Sequence, residues 1–163
     1  GLHLSGAVAH MEAAGVKEIH AFAVDNAVCK VADPVFVGYC LANDADVGSK
    51  VCWKVAPEEA VGVLCKKDGG FAVVEYSDMP EALMNARDEA GALKFGAGNV
   101  CIHYYTLDFL KTKASPESLP REYHLARKKI PYADPETGKT IPKGDLTANT
   151  GLKLESFIFD VFP

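Results

Sequence analysis

Four residues here combine a chemistry and a position that ligand binding could use: Asp25, Gly62, Glu75 and Asn99. Asp25 closes the apolar run Ile19-His20-Ala21-Phe22-Ala23-Val24, where a strand should end. In open α/β sheets, ligands bind beyond the carboxyl ends of strands. A carboxylate there either holds Mg²⁺, which binds through one or two carboxylates plus substrate phosphates, or caps the following turn. Gly62, in Val61-Gly62-Val63, marks either a bulge or a close approach of ligand to backbone. Glu75 follows four apolar residues, so its charge either faces solvent or accepts hydrogen bonds from hydroxyls such as those of a sugar. Asn99, at the end of Gly96-Ala97-Gly98-Asn99, offers both a donor and an acceptor, which suits a sugar ring. A turn without ligand accounts for the same residues.

Other chemistry is not legible. The phosphate-loop patterns GxxxxGK[ST] and GxGxxG do not occur. His103 reads as a core or sheet residue, with no Ser or Cys beside it to make a triad. Phe157 and Phe159 alternate as on one strand face, the pattern of core more than of a stacking platform.

The elements that would position these residues follow an α/β order. Leu4, Ala7, Val8 and Met11 recur at helical spacing and Gly15 supplies a C-terminal cap. The run from Glu18 to Val24 reads as a buried strand of a parallel sheet. Asp33-Pro34 gives an N-cap and first-turn proline to a helix through Val37, Cys40 and Leu41. Strands are predicted over 50–54, 61–65 and 71–76, the last two joined as a hairpin through Lys66-Lys67-Asp68-Gly69-Gly70. A short helix over 80–87, a strand over 100–105 and a helix capped by Thr106 follow. Beyond Lys111 the chain is more polar. There the sequence predicts a basic strand, Leu125 to Ile130, turning through Asp134-Pro135-Glu136-Thr137-Gly138, and a final apolar segment from Leu152.

At 163 residues, with 48% hydrophobic and 24% charged residues, the composition is that of a globular domain. No apolar run approaches the roughly 18 residues that span a bilayer, and no signal peptide is visible at Gly1-Leu2-His3-Leu4. A net charge of -5 argues against nucleic-acid binding but leaves a nucleotide substrate open. The five cysteines lack CxxC spacing, so buried free thiols in the cytosol are expected, with neither zinc nor disulfides.

Taken in order, several segments resemble the eukaryotic UDP-N-acetylhexosamine pyrophosphorylases. They are Val24-Asp25-Asn26, Ala32-Asp33-Pro34-Val35-Phe36-Val37-Gly38, Pro57-Glu58-Glu59 with Val61-Gly62-Val63, and Val74-Glu75-Tyr76-Ser77. Gly98-Asn99-Val100-Cys101 and Phe157-Ile158-Phe159-Asp160-Val161-Phe162 complete the set. The similarity runs along the whole chain and is weakest from Lys113 to Thr150. It implies a Rossmann-like nucleotidyltransferase α/β domain with a mixed sheet. It also implies a Mg²⁺-dependent reaction of UTP with N-acetylglucosamine 1-phosphate, giving UDP-N-acetylglucosamine and pyrophosphate.

By this resemblance Asp25 lies at the nucleotide phosphates and metal, with Asp160 a second carboxylate near it. Gly62, Glu75 and Asn99 contact the N-acetylhexosamine, and Tyr76 belongs to the Glu-Tyr motif. Lys153 neutralises UTP phosphates, and Phe157 and Phe159 wall the acetamido pocket. One departure is Ile102, which precedes His103 where the family usually has Asn-His after the Cys. The family's Gly-rich loop, its main basic residue and its uracil-reading Gln are expected before Gly1, and a further Lys after Pro163. The chain is therefore read as an internal fragment, inactive alone: residues 1–111 an α/β core with a sugar-binding hairpin, 112–163 an irregular segment returning to the sheet. The alternatives are a UDP-glucose or broad UDP-sugar pyrophosphorylase, a non-catalytic nucleotide-sugar binding module, and an α/β domain with no nucleotide role.

Overall fold

Helix α1 (Ala7–Ala13) ends as Gly15 predicts: the glycine takes φ +76°, its N–H donates to the Glu12 carbonyl, and the Val16 N–H donates to that of Met11. These two bonds satisfy carbonyls that a helix end leaves open. The computed structural model describes residues 1–119 and 123–162. They fall into two compact units, Gly1–Leu119 with Phe159–Pro163, and Pro120–Ile158.

The first unit is built on β5 (Ala97–Thr106), a ten-residue strand. β1 (Glu18–Phe22) pairs with its C-terminal half, setting His20 opposite Tyr104. β2 (Val47–Trp53) pairs along nearly all of it. β3 (Val63–Lys67) joins at Val63 opposite Gly98 and carries β4 (Gly70–Val74) outside it. The β3–β4 turn is the predicted one, with Asp68 at φ 52° and Gly69 at φ 89°. Two positive-φ residues form a type I′ turn, whose twist matches that of the strands it joins.

The α/β class holds, but the sheet pairing corrects the sequence reading. Every ladder among the described residues is antiparallel, including that of β1, which was expected to be a buried parallel strand. An unbroken apolar run does not encode strand direction. Here the run also leaves the strand early, and Val24 is fully exposed.

Helix α2 (Pro34–Ala42) starts on Asp33, whose carboxylate accepts the Val35 N–H. Helix α3 (Glu81–Met84) is shorter than predicted, while α4 (Leu107–Thr112) begins on Thr106, whose hydroxyl accepts the Phe109 N–H. Val63, Val73, Ile102, Tyr104, Leu107 and Leu110 form the centre of the core. His103 is wholly buried, its ring near those of Tyr105 and Phe162 and its Nδ1 bonded to the Ser49 hydroxyl. Burial holds its pKa down to about 4, so the imidazole is neutral.

The second unit contains β6 (His124–Lys128) paired with β9 (Gly151–Glu155), and a short hairpin of β7 (Tyr132–Ala133) and β8 (Thr140–Ile141). The turn at Asp134 forms, with the Asp134 carboxylate accepting from the Glu136 N–H and the Thr137 hydroxyl. It closes β7–β8, not the basic strand, whose partner is β9. Phe157 and Phe159 do not alternate on a strand: the last ladder pair is His124 with Glu155, and the two rings fall in different units. The cysteines are free, but only Cys40 is buried. Cys52 is exposed because β2 pairs only with β5 and leaves residues 51–53 open to solvent.

Candidate functional site

The site begins with an irregularity in β5. Lys50 stands opposite Ile102, yet Val51 stands opposite Asn99, so Val100 and Cys101 bulge out of the ladder. Cys101 takes φ 54°, a left-handed conformation uncommon for a residue with a Cβ. The Asn99 side chain stabilises it: Oδ1 accepts the Cys101 N–H at 3.1 Å. A bulge of this kind turns side chains out of the alternation a regular strand imposes. Nothing in the sequence marks it except the glycines before it.

Asn99 is buried, and its own N–H donates to the Gly62 carbonyl at 2.8 Å. Gly62 in turn lies against Glu75, which follows the end of β4. A Cβ on Gly62 would come 2.6 Å from Glu75 Oε1 and 3.0 Å from Val73 Cγ1. The glycine is there because a carboxylate occupies the space of its side chain. Thus three sequence-predicted residues, Gly62, Glu75 and Asn99, form one wall.

Asp25 follows β1 in an exposed turn, with the Asn26 N–H bonded to the Ala23 carbonyl. Its charge reaches the same region. The Cys101 thiol is pushed up in pKa, first by burial and then by the negative charges of Glu75 and Asp25. Both carboxylates therefore act on the bulge of β5. Among the described residues no group of three or more His, Cys, Asp or Glu could cage a metal. A single exposed carboxylate suits Mg²⁺ held mainly by water and phosphate oxygens. Tyr76 is 43% exposed beside Glu75.

The remaining predicted residues are placed differently. Lys153, on β9, is an exposed side chain whose Nζ pairs with Glu155 Oε1 at 2.6 Å. Phe157 meets the His124 ring at 5.0 Å in the same unit. Phe159, 4% exposed, packs on Phe162 in the first unit, and Asp160 follows it, half-buried.

Two arrangements were missed by sequence reasoning. Beyond capping α2, Asp33 accepts from Lys50 Nζ at 2.5 Å, with Lys30 at 3.4 Å. The Lys50 bond above all holds its carboxyl at a pKa of about 2. Lys54, in a segment read as a plain strand, is buried at 5% exposure. The only signal for either is charge in an apolar run, which does not name a partner.

The chain thus sets a strand-end carboxylate and a glycine-opened wall beside a bulged central strand. It belongs to the family described as UTP--glucose-1-phosphate uridylyltransferase, whose profile matches residues 1–157. It is 43% identical over 152 residues to UDP-N-acetylhexosamine pyrophosphorylase-like protein 1 of Xenopus tropicalis, covering 93% of this chain and 29% of that protein. It is 42% identical to the UDP-N-acetylglucosamine pyrophosphorylase of Saccharomyces cerevisiae, covering 91% of this chain and 30% of the yeast protein. The crystal structure of the Trypanosoma brucei UDP-N-acetylglucosamine pyrophosphorylase in complex with inhibitor superposes with TM-score 0.77 at 33% identity, covering 96% of this chain and 27% of that one. The chain thus spans about three-tenths of the length of these curated relatives.

Proposed function

We propose that the chain supplies the sugar-binding wall and a metal-side carboxylate of a uridylyltransferase that makes UDP-N-acetylglucosamine and pyrophosphate from UTP and N-acetylglucosamine 1-phosphate. The observation that carries this reading is the contact of Gly62, Glu75 and Asn99 at the β5 bulge. Relatives named for N-acetylhexosamine substrates, at 40–43% identity, favour this sugar over glucose.

In the reaction a phosphate oxygen of the sugar phosphate attacks the α-phosphorus of UTP in line. A new P–O bond forms as the bond to the departing pyrophosphate breaks, and no covalent enzyme intermediate is needed. Catalysis is then positioning and charge neutralisation. Gly62 brings backbone to the sugar without a side chain in the way. Glu75 accepts from a hydroxyl and Asn99 bonds a second ring substituent, with Tyr76 beside them. Lys153 would contribute a point charge to the UTP phosphates. Asp25, with Asp160, would hold Mg²⁺, which supplies charge neutralisation at the phosphates. No helix among the described residues is long and apolar enough to cross a membrane. The free thiols fit a reducing cytosol.

The test is pyrophosphate release by the intact gene product from UTP and Mg²⁺, with N-acetylglucosamine 1-phosphate or glucose 1-phosphate as acceptor. Turnover favouring the N-acetylated sugar supports the reading. Preference for glucose 1-phosphate moves it to the UDP-glucose enzymes, and binding of UDP-sugars without turnover leaves a binding module.

A further inference from the structure

Lys54 lies buried between two exposed neighbours: it is 5% exposed, Trp53 62% and Val55 92%. A charge carried inward in this way costs free energy unless it is partnered. Its stem lies against Gly98 of β5. A Cβ on Gly98 would come 2.8 Å from the Cys52 carbonyl oxygen and 3.6 Å from Lys54 Cγ. The Lys54 N–H donates to the Gly96 carbonyl at 2.8 Å, tying the end of β2 to the start of β5. Its Nζ donates to the Pro57 carbonyl at 2.9 Å.

From Pro57 the chain runs directly to the sugar wall. Glu59 Oε1 accepts the Val55 and Ala56 N–H groups at 2.7 and 2.9 Å, and the Val61 N–H returns to the Glu59 carbonyl at 2.8 Å. The Glu59 carboxyl is held below its ordinary range by the Ala56 and Val55 bonds, with a further contribution from the Lys54 charge. The segment 55–61 is therefore braced from inside by an ammonium and from outside by a carboxylate, and it delivers Gly62 to Glu75 and Asn99. An apolar side chain of similar length would fill the Lys54 space without the cost of desolvating a charge. Only the ammonium grips the Pro57 carbonyl.

We infer that Lys54 is a positioning residue for sugar recognition, fixing through Pro57 and the Glu59-braced loop where the Gly62 backbone stands against Glu75 and Asn99. The inference rests on the sugar-binding reading of that wall. It is tested in the intact gene product by Lys54→Met, which keeps the stem, and by Glu59→Ala, which loosens the same loop from its outer side and leaves the core intact. Lys54→Met should raise KM for N-acetylglucosamine 1-phosphate about tenfold, and Glu59→Ala about threefold, as loss of a charge-assisted hydrogen bond implies. KM for UTP should stay unchanged in both. A merely structural lysine would instead lower the melting temperature and leave the ratio of the two KM values alone, which overturns the inference. Should Lys54→Met not fold, Glu59→Ala decides by the same criterion. Asn99→Ala separates the two levels: if it too leaves the sugar KM unmoved, the sugar-wall reading itself fails. If Asn99→Ala raises it and neither loop variant does, only the role of Lys54 is lost.

Discussion

In the five-stranded unit, β5 is flanked by β1, β2 and β3, and its residues from Ile102 to Tyr105 are all buried. In the unit from Pro120 to Ile158, strands pair two by two and Leu146 is the buried residue among those described. The contrast shows what a core does for a site. Where ladders and packing hold the backbone, a residue can sit in a left-handed conformation, as Cys101 does, and a glycine can be matched to one carboxylate. Such strain persists only where the surroundings over-determine it. On β9 the candidate side chain is an exposed lysine paired with a neighbouring glutamate, and such a pair is worth little and rearranges readily.

The sharpest way to break this contrast is Asp25→Ala in the intact gene product. Mg²⁺-dependent turnover should fall by about 100-fold or more, read by pyrophosphate release across a Mg²⁺ titration. Unchanged metal dependence would remove Asp25 from the phosphate side of the site. Next in size are Glu75→Ala and Asn99→Ala. Each should raise KM for the sugar phosphate by about 10- to 100-fold, because a polar wall left unpaired loses its ligand bond. UTP affinity should stay as it was, and equal loss of both substrates would contradict the assignment.

The core itself predicts an acid response. His103 titrates at about 4 when folded, below its ordinary value of 6.5. Between these values the unfolded chain binds a proton that the folded chain does not, so stability falls as pH drops from about 6.5 to about 4. Denaturation midpoints over this range should show that slope, and His103→Asn should flatten it. The smallest effect belongs to the second unit. Lys153→Ala should weaken UTP binding by about threefold and leave the melting temperature unchanged, as expected for an exposed point charge. A loss as large as that of Asp25→Ala would show that the thin unit holds its side chain as firmly as the sheet does.

Local rules made much of the first unit legible. Gly15, Asp33-Pro34, Asp68-Gly69 and Thr106 each announce a cap or turn, and each forms. Pairing was less legible, because the apolar run of β1 has no direction written in it. The basic strand β6 reaches past its nearest turn to β9, a choice that depends on long-range register. Of the site, the residues were readable one by one, but their contact was not. Gly62 meets Glu75 through a glycine's missing side chain, and Asn99 reaches Gly62 through backbone alone. Lys54 escaped notice because a lysine beside Trp53 and Val55 reads as solvent-facing, and its stem is covered in part by β5, a strand distant in sequence.

The most direct test of the sugar wall is amide resonance mapping of the intact gene product titrated with UDP-N-acetylglucosamine and, separately, with UMP. The sugar nucleotide should shift the amides of Gly62, Glu75 and Asn99, and UMP should leave them in place. Equal shifts with both ligands, or none with either, would contradict the claim that these three residues read the sugar.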